Sequence, residues 1–256
     1  MCILQKKLLL RYFIRISFLG KKYCGWQIQP GQISVQETIE KCIGNLIREK
    51  INIVGAGRTD SGVHATSMYA HFDTEKTIQN KDFLRKINLY LPIDISILDL
   101  FRVKEKSHAR FDATSRTYKY FITKHKDPFK IDQSFLCKYE LDLKLMKKAA
   151  KALLKFDDYE SFSKSKTDVK TFICKVNYAQ FVEEKETIIF EINANRFLRN
   201  MVRAIVGTLI DIGRKKISLK EFEEIILKKN RSSAGFSAPA KGLFLSDIIY
   251  DWDKIK

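Results

Sequence analysis

The sequence predicts an α+β protein. Two observations carry that prediction. Segments whose apolar residues alternate with period two are interleaved with segments of helical spacing, in both halves of the chain. Two S-x-x-E signatures, at Ser34 and Ser218, each open one of the helical segments.

Residues 10–18 place Leu10, Tyr12, Ile14, Ile16 and Phe18 on one face and Arg11, Phe13, Arg15 and Ser17 on the other, a half-buried strand. Tyr23-Cys-Gly-Trp-Gln-Ile-Gln-Pro-Gly31 is a loop, by its Gly and Pro. Two readings stay open for its Tyr23, Trp26, Gln27 and Gln29: stacking on and hydrogen bonding to bases, or, for Trp26, packing in the core. Ser34 and Glu37 form a capping box, and Val35, Ile39, Cys42, Ile43, Leu46 and Ile47 follow helical spacing through Lys50. Ile51–Val54 is a short strand that feeds a glycine-rich loop, and Thr66–Asp73 is another strand. Asn80 caps a helix with Phe83, Leu84, Ile87 and Leu91 inward, ended by Pro92. Ile93–Val103 reads as a strand with apolar residues on both faces.

The second half opens with a strand in the segment 108–122, where Tyr118, Tyr120 and Ile122 alternate with Thr117, Lys119 and Phe121. Asp142 begins a helix with Leu145, Met146, Ala149, Ala150, Leu153 and Leu154 inward. Residues 157–170 are polar and read as a mobile loop. Strands follow near 171–182 and 186–194. Asn195–Gly213 reads as one helix with an apolar stripe through Phe197, Met201, Val202, Ile205, Val206 and Leu209. Arg199 and Arg203, four apart, are neighbours on such a helix, and an arginine beside an apolar stripe needs a partner. Ser218 and Glu221 open a short helix, and an apolar segment closes the chain through Tyr250.

Hydrophobic residues make up 45% of the 256, enough for a sizeable core. Lys and Arg outnumber Asp and Glu by 47 to 30, a formal net charge of +17 that points to a polyanionic partner. No apolar run approaches the roughly 20 residues that span a bilayer, and Leu8–Leu10 is too short for a signal-peptide core. A cytoplasmic location is expected. The five cysteines (Cys2, Cys24, Cys42, Cys137, Cys174) are scattered, with no C-x-x-C, and are expected reduced. The four histidines (His64, His71, His108, His125) show no ligand spacing and are expected to be structural, with no metal site.

The loop Gly55-Ala-Gly-Arg-Thr-Asp-Ser-Gly-Val-His64 sets one arginine and one carboxylate among three glycines. Read locally, it is either a tight turn with an ion pair or a loop built for chemistry. A dinucleotide G-x-G-x-x-G fails because Asp60 occupies the third glycine position. A phosphate-binding G-x-x-x-x-G-K fails because Val63 stands at the lysine. Asp60-Ser-Gly62 has the aspartic-protease form, but such carboxylates share a proton through mutual repulsion, whereas a nearby Arg58 favours the ionised form.

The same residues resemble the signature of the tRNA pseudouridine synthase A family, with Ser61 where the commonest form has alanine. The resemblance continues through Gly25-Trp-Gln-Ile-Gln29, Ala109-Arg-Phe-Asp-Ala-Thr-Ser-Arg-Thr-Tyr-Lys-Tyr120, Asn195–Gly213 with Met201-Val-Arg203, and Ala238-Pro-Ala-Lys-Gly-Leu-Phe-Leu245. Five blocks in the family's order span nearly the whole chain.

The resemblance implies two similar halves, residues 1–105 and 106–256. Each would have an antiparallel sheet flanked by helices, with an active-site cleft between them. It implies conversion of uridine to pseudouridine in the anticodon arm of tRNA, at positions 38, 39 and 40, without a cofactor, by a homodimer. Asp60 matches the essential carboxylate, which attacks C1′ as nucleophile or deprotonates the ribose to a glycal. Arg203 matches the basic residue that pairs with it. Tyr118 matches a tyrosine that stacks on the uracil, Leu243 an apolar residue on the base's other side, and Arg58 an arginine that helps extrude the nucleotide. A non-catalytic RNA-binding protein on the same fold would have no use for this set intact.

Overall fold

The computed structural model describes residues 9–165 and 169–256. Cys2, Leu8 and residues 166–168 of the polar loop lie outside the described residues. The chain divides into two compact units, one of residues 1–114 with 248–256, the other of residues 115–247. Each is a mostly antiparallel sheet with helices against it.

In the first unit the alternation at residues 10–18 forms β1 (Leu10–Phe18) over the expected span. Ser34 accepts from the Glu37 amide at 3.2 Å and starts α1 (Val35–Ile47). The reciprocal half of the expected box is replaced by an ion pair, Glu37 to Lys41 at 2.6 Å. Arg48 takes a left-handed conformation and ends the helix two residues before the expected Lys50. The expected strand at 51–54 is reduced to β2 (Val54–Gly55), because Ile51 and Ile53 turn into the core without sheet pairing. β3 (His64–Thr74) is longer than expected. α2 (Asn80–Tyr90) starts at Asn80, which is its first residue rather than its cap. β4 (Ile95–Val103) omits Ile93, which is fully exposed.

The strands order as β4-β1-β3, antiparallel throughout, with β2 on β3 through Val54↔His71 and Gly55↔Ala70. α2 packs on β4 and α1 on α2. Phe13, placed by the alternation on the more polar face, is fully buried. The C-terminal segment covers that face: Tyr250 meets Phe13 at 5.8 Å and Trp252 meets Phe101 at 5.4 Å, both edge-on. On the same face Arg11 holds Asp73 through two hydrogen bonds of 2.7 Å and donates to the Ser107 carbonyl.

The second unit holds most of β5 (Ala113–Thr123), then β6 (Phe135–Leu136), α3 (Leu143–Ala152), β7 (Val176–Glu184), β8 (Thr187–Ala194), α4 (Met201–Gly213), α5 (Leu219–Leu227) and most of β9 (Leu243–Tyr250). Its sheet runs β9-β5-β8-β7, with β6 parallel on β5. Asp142 caps α3 as expected. Leu154, expected inward, is exposed because the chain tightens into a 3-10 turn at Leu153. Ser218 and Glu221 complete a reciprocal capping box at α5.

Two expectations fail here. Residues 157–163 are an anchored turn: Tyr159 and Phe162 are fully buried and the Ser161 hydroxyl donates to the Ile225 carbonyl at 2.6 Å. The helix expected from Asn195 starts only at Met201. Asn200 adopts φ +66°, and Asn195 is tied back to Lys175 through both its amide and its side-chain oxygen. Arg199 therefore lies before the helix and is no neighbour of Arg203 on it. α4 is buried on every side except at Arg203 and Asp211, which makes it the central helix of its unit rather than an amphipathic one. Among the described residues no helix is long and apolar enough to cross a membrane.

Candidate active site

The carboxylate loop of the first unit is shaped by a second loop that grips it. Gly25 has φ +107°, and a Cβ on it would stand 2.2 Å from the Thr59 carbonyl oxygen, so only glycine fits there. The Tyr23 carbonyl accepts from the Ser61 hydroxyl at 3.2 Å and from the Gly62 amide at 3.4 Å. The Gly20 amide donates to His64 Nδ1 at 2.9 Å. A turn between the Asp60 carbonyl and the Val63 amide closes the loop. Tyr23 is itself pinned by a 2.7 Å hydrogen bond to Asp94, and burial pushes its hydroxyl pKa up.

Trp26 belongs to this grip. It is 3% exposed, packs on Phe18, and lies so close to Gly55 that a Cβ there would meet its Nε1 at 2.4 Å. The base-stacking reading of Tyr23 and Trp26 is thereby overturned, since both rings are buried, while Gln27 and Gln29 remain at the surface. Around Gly57, by contrast, an added Cβ meets nothing within 4 Å. Asp60 is half-buried and Arg58 exposed. The loop thus holds a carboxylate rigidly, with open space at Gly57, three residues before it.

Of the other expected site residues, the second unit carries Tyr118, Arg203 and Leu243. Tyr118 is half-buried on β5, its ring held edge-on by Phe197 at 5.0 Å. Arg203 lies in the first turn of α4. Its Nε donates to the Ala238 carbonyl at 2.7 Å, and the Ala238 amide returns a bond to the Arg203 carbonyl at 3.0 Å. Asn200 supports this through Ser237 at 2.7 Å. Tyr120, buried with its pKa raised by desolvation, donates to the Pro239 carbonyl at 2.8 Å. Leu243, 5% exposed, begins β9 directly after this strap. Strand β5 therefore places Tyr118 and the strap's anchor Tyr120 two residues apart.

The histidines are structural where their contacts are seen. His64 holds Gly20, and His71 Nδ1 accepts from the Ala109 amide at 3.1 Å. Burial, then the charge of Arg11, lowers the His71 pKa to about 4. Cys24, Cys42, Cys137 and Cys174 are unbridged. Among the described residues no cluster of three His, Cys, Asp or Glu is placed to hold a metal ion.

Residues 149–251 match a family model described as tRNA pseudouridine synthase. The chain is 50% identical over 242 residues to the tRNA pseudouridine synthase A of Bacteroides fragilis, covering 94% of this chain and 96% of that protein. It is 47% identical over 240 residues to that of Azobacteroides pseudotrichonymphae, with the same coverage of 94% and 96%. It is 39% identical over 240 residues to that of Bacillus licheniformis, covering 92% and 97%.

The chain belongs to the tRNA pseudouridine synthase A family. The family model covers Arg203 and Leu243, while the relatives' matches extend over most of both units. The sequence motifs that mark the family sort by role. Gly25-Trp26 grips the carboxylate loop, and Ala238-Pro239 straps Arg203 and Tyr120. Neither role was legible from the motifs themselves, since each depends on a partner more than 30 residues away.

Proposed function

We propose that this chain is a tRNA pseudouridine synthase that isomerises uridine in the anticodon arm of tRNA, at positions 38, 39 and 40. The observation that carries the reading is the near full-length identity to proteins of that name, together with an intact Asp60 on a gripped loop. The net charge of +17 suits a polyanionic substrate.

The chemistry is an isomerisation that balances without an oxidant or cofactor. The N1–C1′ bond breaks, the uracil turns, and a C5–C1′ bond forms. The C5 proton leaves to water and N1 takes up a proton. Asp60 attacks C1′ or removes a ribose proton, and Arg203 is the basic residue that pairs with it. Tyr118 stacks on the uracil while it turns, because a stacking face tolerates rotation. Its edge contact with Phe197 fixes the ring plane. Leu243 packs on the other side of the base. Arg58, exposed, aids extrusion of the nucleotide, which costs about a few kcal/mol. In this reading residues 1–105 supply the carboxylate and residues 106–256 complete the site. The enzyme is a cytoplasmic homodimer that binds tRNA and no membrane.

The test uses unmodified tRNA tritiated at C5 of uridine. Wild type releases tritium to water, and Asp60→Ala binds the RNA but releases none. Binding by wild type with no release overturns the reading.

A further inference from the structure

The segment 108–111 precedes β5 and has no part in the chemistry above, yet it presents a conspicuous exposed ring. Phe111 is 75% exposed. Its exposure is not the result of a loose loop. The His108 ring lies 4.3 Å from it at 35°. His108 in turn contacts the buried His71 at 4.7 Å, and His71 stacks on the buried Phe13 at 5.9 Å. The backbone is fixed as well. His108 Nδ1 accepts from the amides of Arg110, at 3.1 Å, and Phe111, at 3.3 Å. The His108 amide donates to Asp112 at 2.6 Å, and the Asp112 amide to the His108 carbonyl at 3.1 Å.

Four rings therefore form a column from the core of the first unit to its surface, and the column ends in a phenyl facing water. Such a ring gains nothing from folding, since it stays solvated. It gains from a partner with a flat apolar face. The Arg110 guanidinium stands over the same ring, 5.7 Å from its centre. The column also meets the short strand that leads into the carboxylate loop. His71 pairs with Val54, and Val54 precedes Asp60 by six residues, a chain reach of at most about 20 Å.

We propose that Phe111, held outward by His108, is a stacking platform for an unstacked nucleobase of the RNA, with Arg110 closing over it. This rests on the RNA-modifying reading above and adds a contact point to it. A base next to Asp60 is turned out of its stack during reaction, and its neighbours in the arm lose a stacking partner. An aromatic face replaces that partner without regard to base identity.

The experiment measures the dissociation constant of unmodified tRNA transcript for the full chain carrying Asp60→Ala, which blocks turnover, with and without changes at Phe111. Phe111→Ala and Phe111→Leu are expected to weaken binding by about 5- to 150-fold, the range for loss of one stacked base. Phe111→Tyr keeps the π face and is expected to bind within twofold of the parent. Melting temperatures should be unchanged, because the ring is exposed. Equal binding by Phe111→Ala overturns the inference. So does parent-like binding by Phe111→Leu, which would make the contact apolar packing only, or a smaller oligomer on sedimentation of Phe111→Ala, which would assign the ring to a contact between copies. Tritium release by otherwise wild-type protein is scored separately. No release alongside the expected loss of binding overturns the enzymatic reading and leaves the platform standing.

Discussion

Gly207→Ala sets two effects of opposite sign against each other. Gly207 lies inside α4, where alanine is favoured over glycine by about 1 kcal/mol. On propensity alone the change stabilises. But a Cβ at this position would stand 1.7 Å from the Phe236 carbonyl oxygen and 2.8 Å from its carbon. Normal contact needs about 3.5 Å, so helix and strap must part by well over 1 Å. The obstructing atoms are backbone and have no rotamer to escape into. The reciprocal bonds of Arg203 and Ala238, at 2.7 and 3.0 Å, lie two residues along the strap and one helical turn along α4 from the clash and lose their geometry with it. Overpacking costs about 1–3 kcal/mol. The strained bonds add about 1–3 kcal/mol, one of them to a charged donor. After the propensity gain the net is about 3 kcal/mol of destabilisation. At about 2–4 °C per kcal/mol for a chain of this size, calorimetry should find a melting temperature lower by about 6–12 °C. Tritium release per folded molecule should fall too, because the strap sets the position of Arg203. A melting temperature equal to or above that of wild type would refute the steric argument. A lowered one with undiminished release would separate the strap from catalysis.

Three further outcomes are expected. Gly57→Ala meets nothing within 4 Å, so its melting temperature should match wild type. If the open space serves the incoming ribose, turnover drops by tenfold or more, and full turnover would show that this space is not used. Tyr118→Phe keeps the ring and its Phe197 contact, so tRNA affinity should hold where Tyr118→Ala loses it; equal loss by both would rule out stacking as the ring's main role. For pH, His71 has an ordinary pKa of 6.5 when unfolded and about 4 when folded. The unfolded chain binds the proton first, so stability is full above pH 6.5 and falls as pH drops towards 4, by about 3 kcal/mol. Urea midpoints between pH 7 and pH 4.5 should show this fall, and an unchanged slope in His71→Gln would assign it to other groups.

How far the sequence discloses this molecule depends on the range of the forces at each point. β1 was legible to the residue, because alternation is a local signal of a strand with a buried face. Phe13 broke that alternation, and its burial depends on Tyr250, more than 200 residues away. The start of α4 was misplaced for a related reason. Residues 195–200 satisfy helical spacing, but Asn195 is held by Lys175 and cannot turn into a helix without leaving that strand edge. Trp26 in its Gly/Pro loop reads equally as a base-stacking or a core aromatic, and nothing local discloses the slot left by the missing side chain of Gly55.

The candidate site divides along the same line. Asp60, Arg58, Tyr118, Arg203 and Leu243 could be proposed in advance because the motifs that carry the resemblance are contiguous. What holds them was not, because the grip of residues 20–26 on the Asp60 loop and of residues 236–239 on α4 are contacts between separated segments. This has a consequence for reading variants. On the proposed function, a change in either holding segment touches no reacting atom but moves Asp60 or Arg203, and a displacement of about 1 Å costs on the order of 100-fold. Substitutions at Gly25 or Ala238 should therefore lower turnover while leaving RNA affinity close to that of wild type. Those at Phe111 should do the reverse.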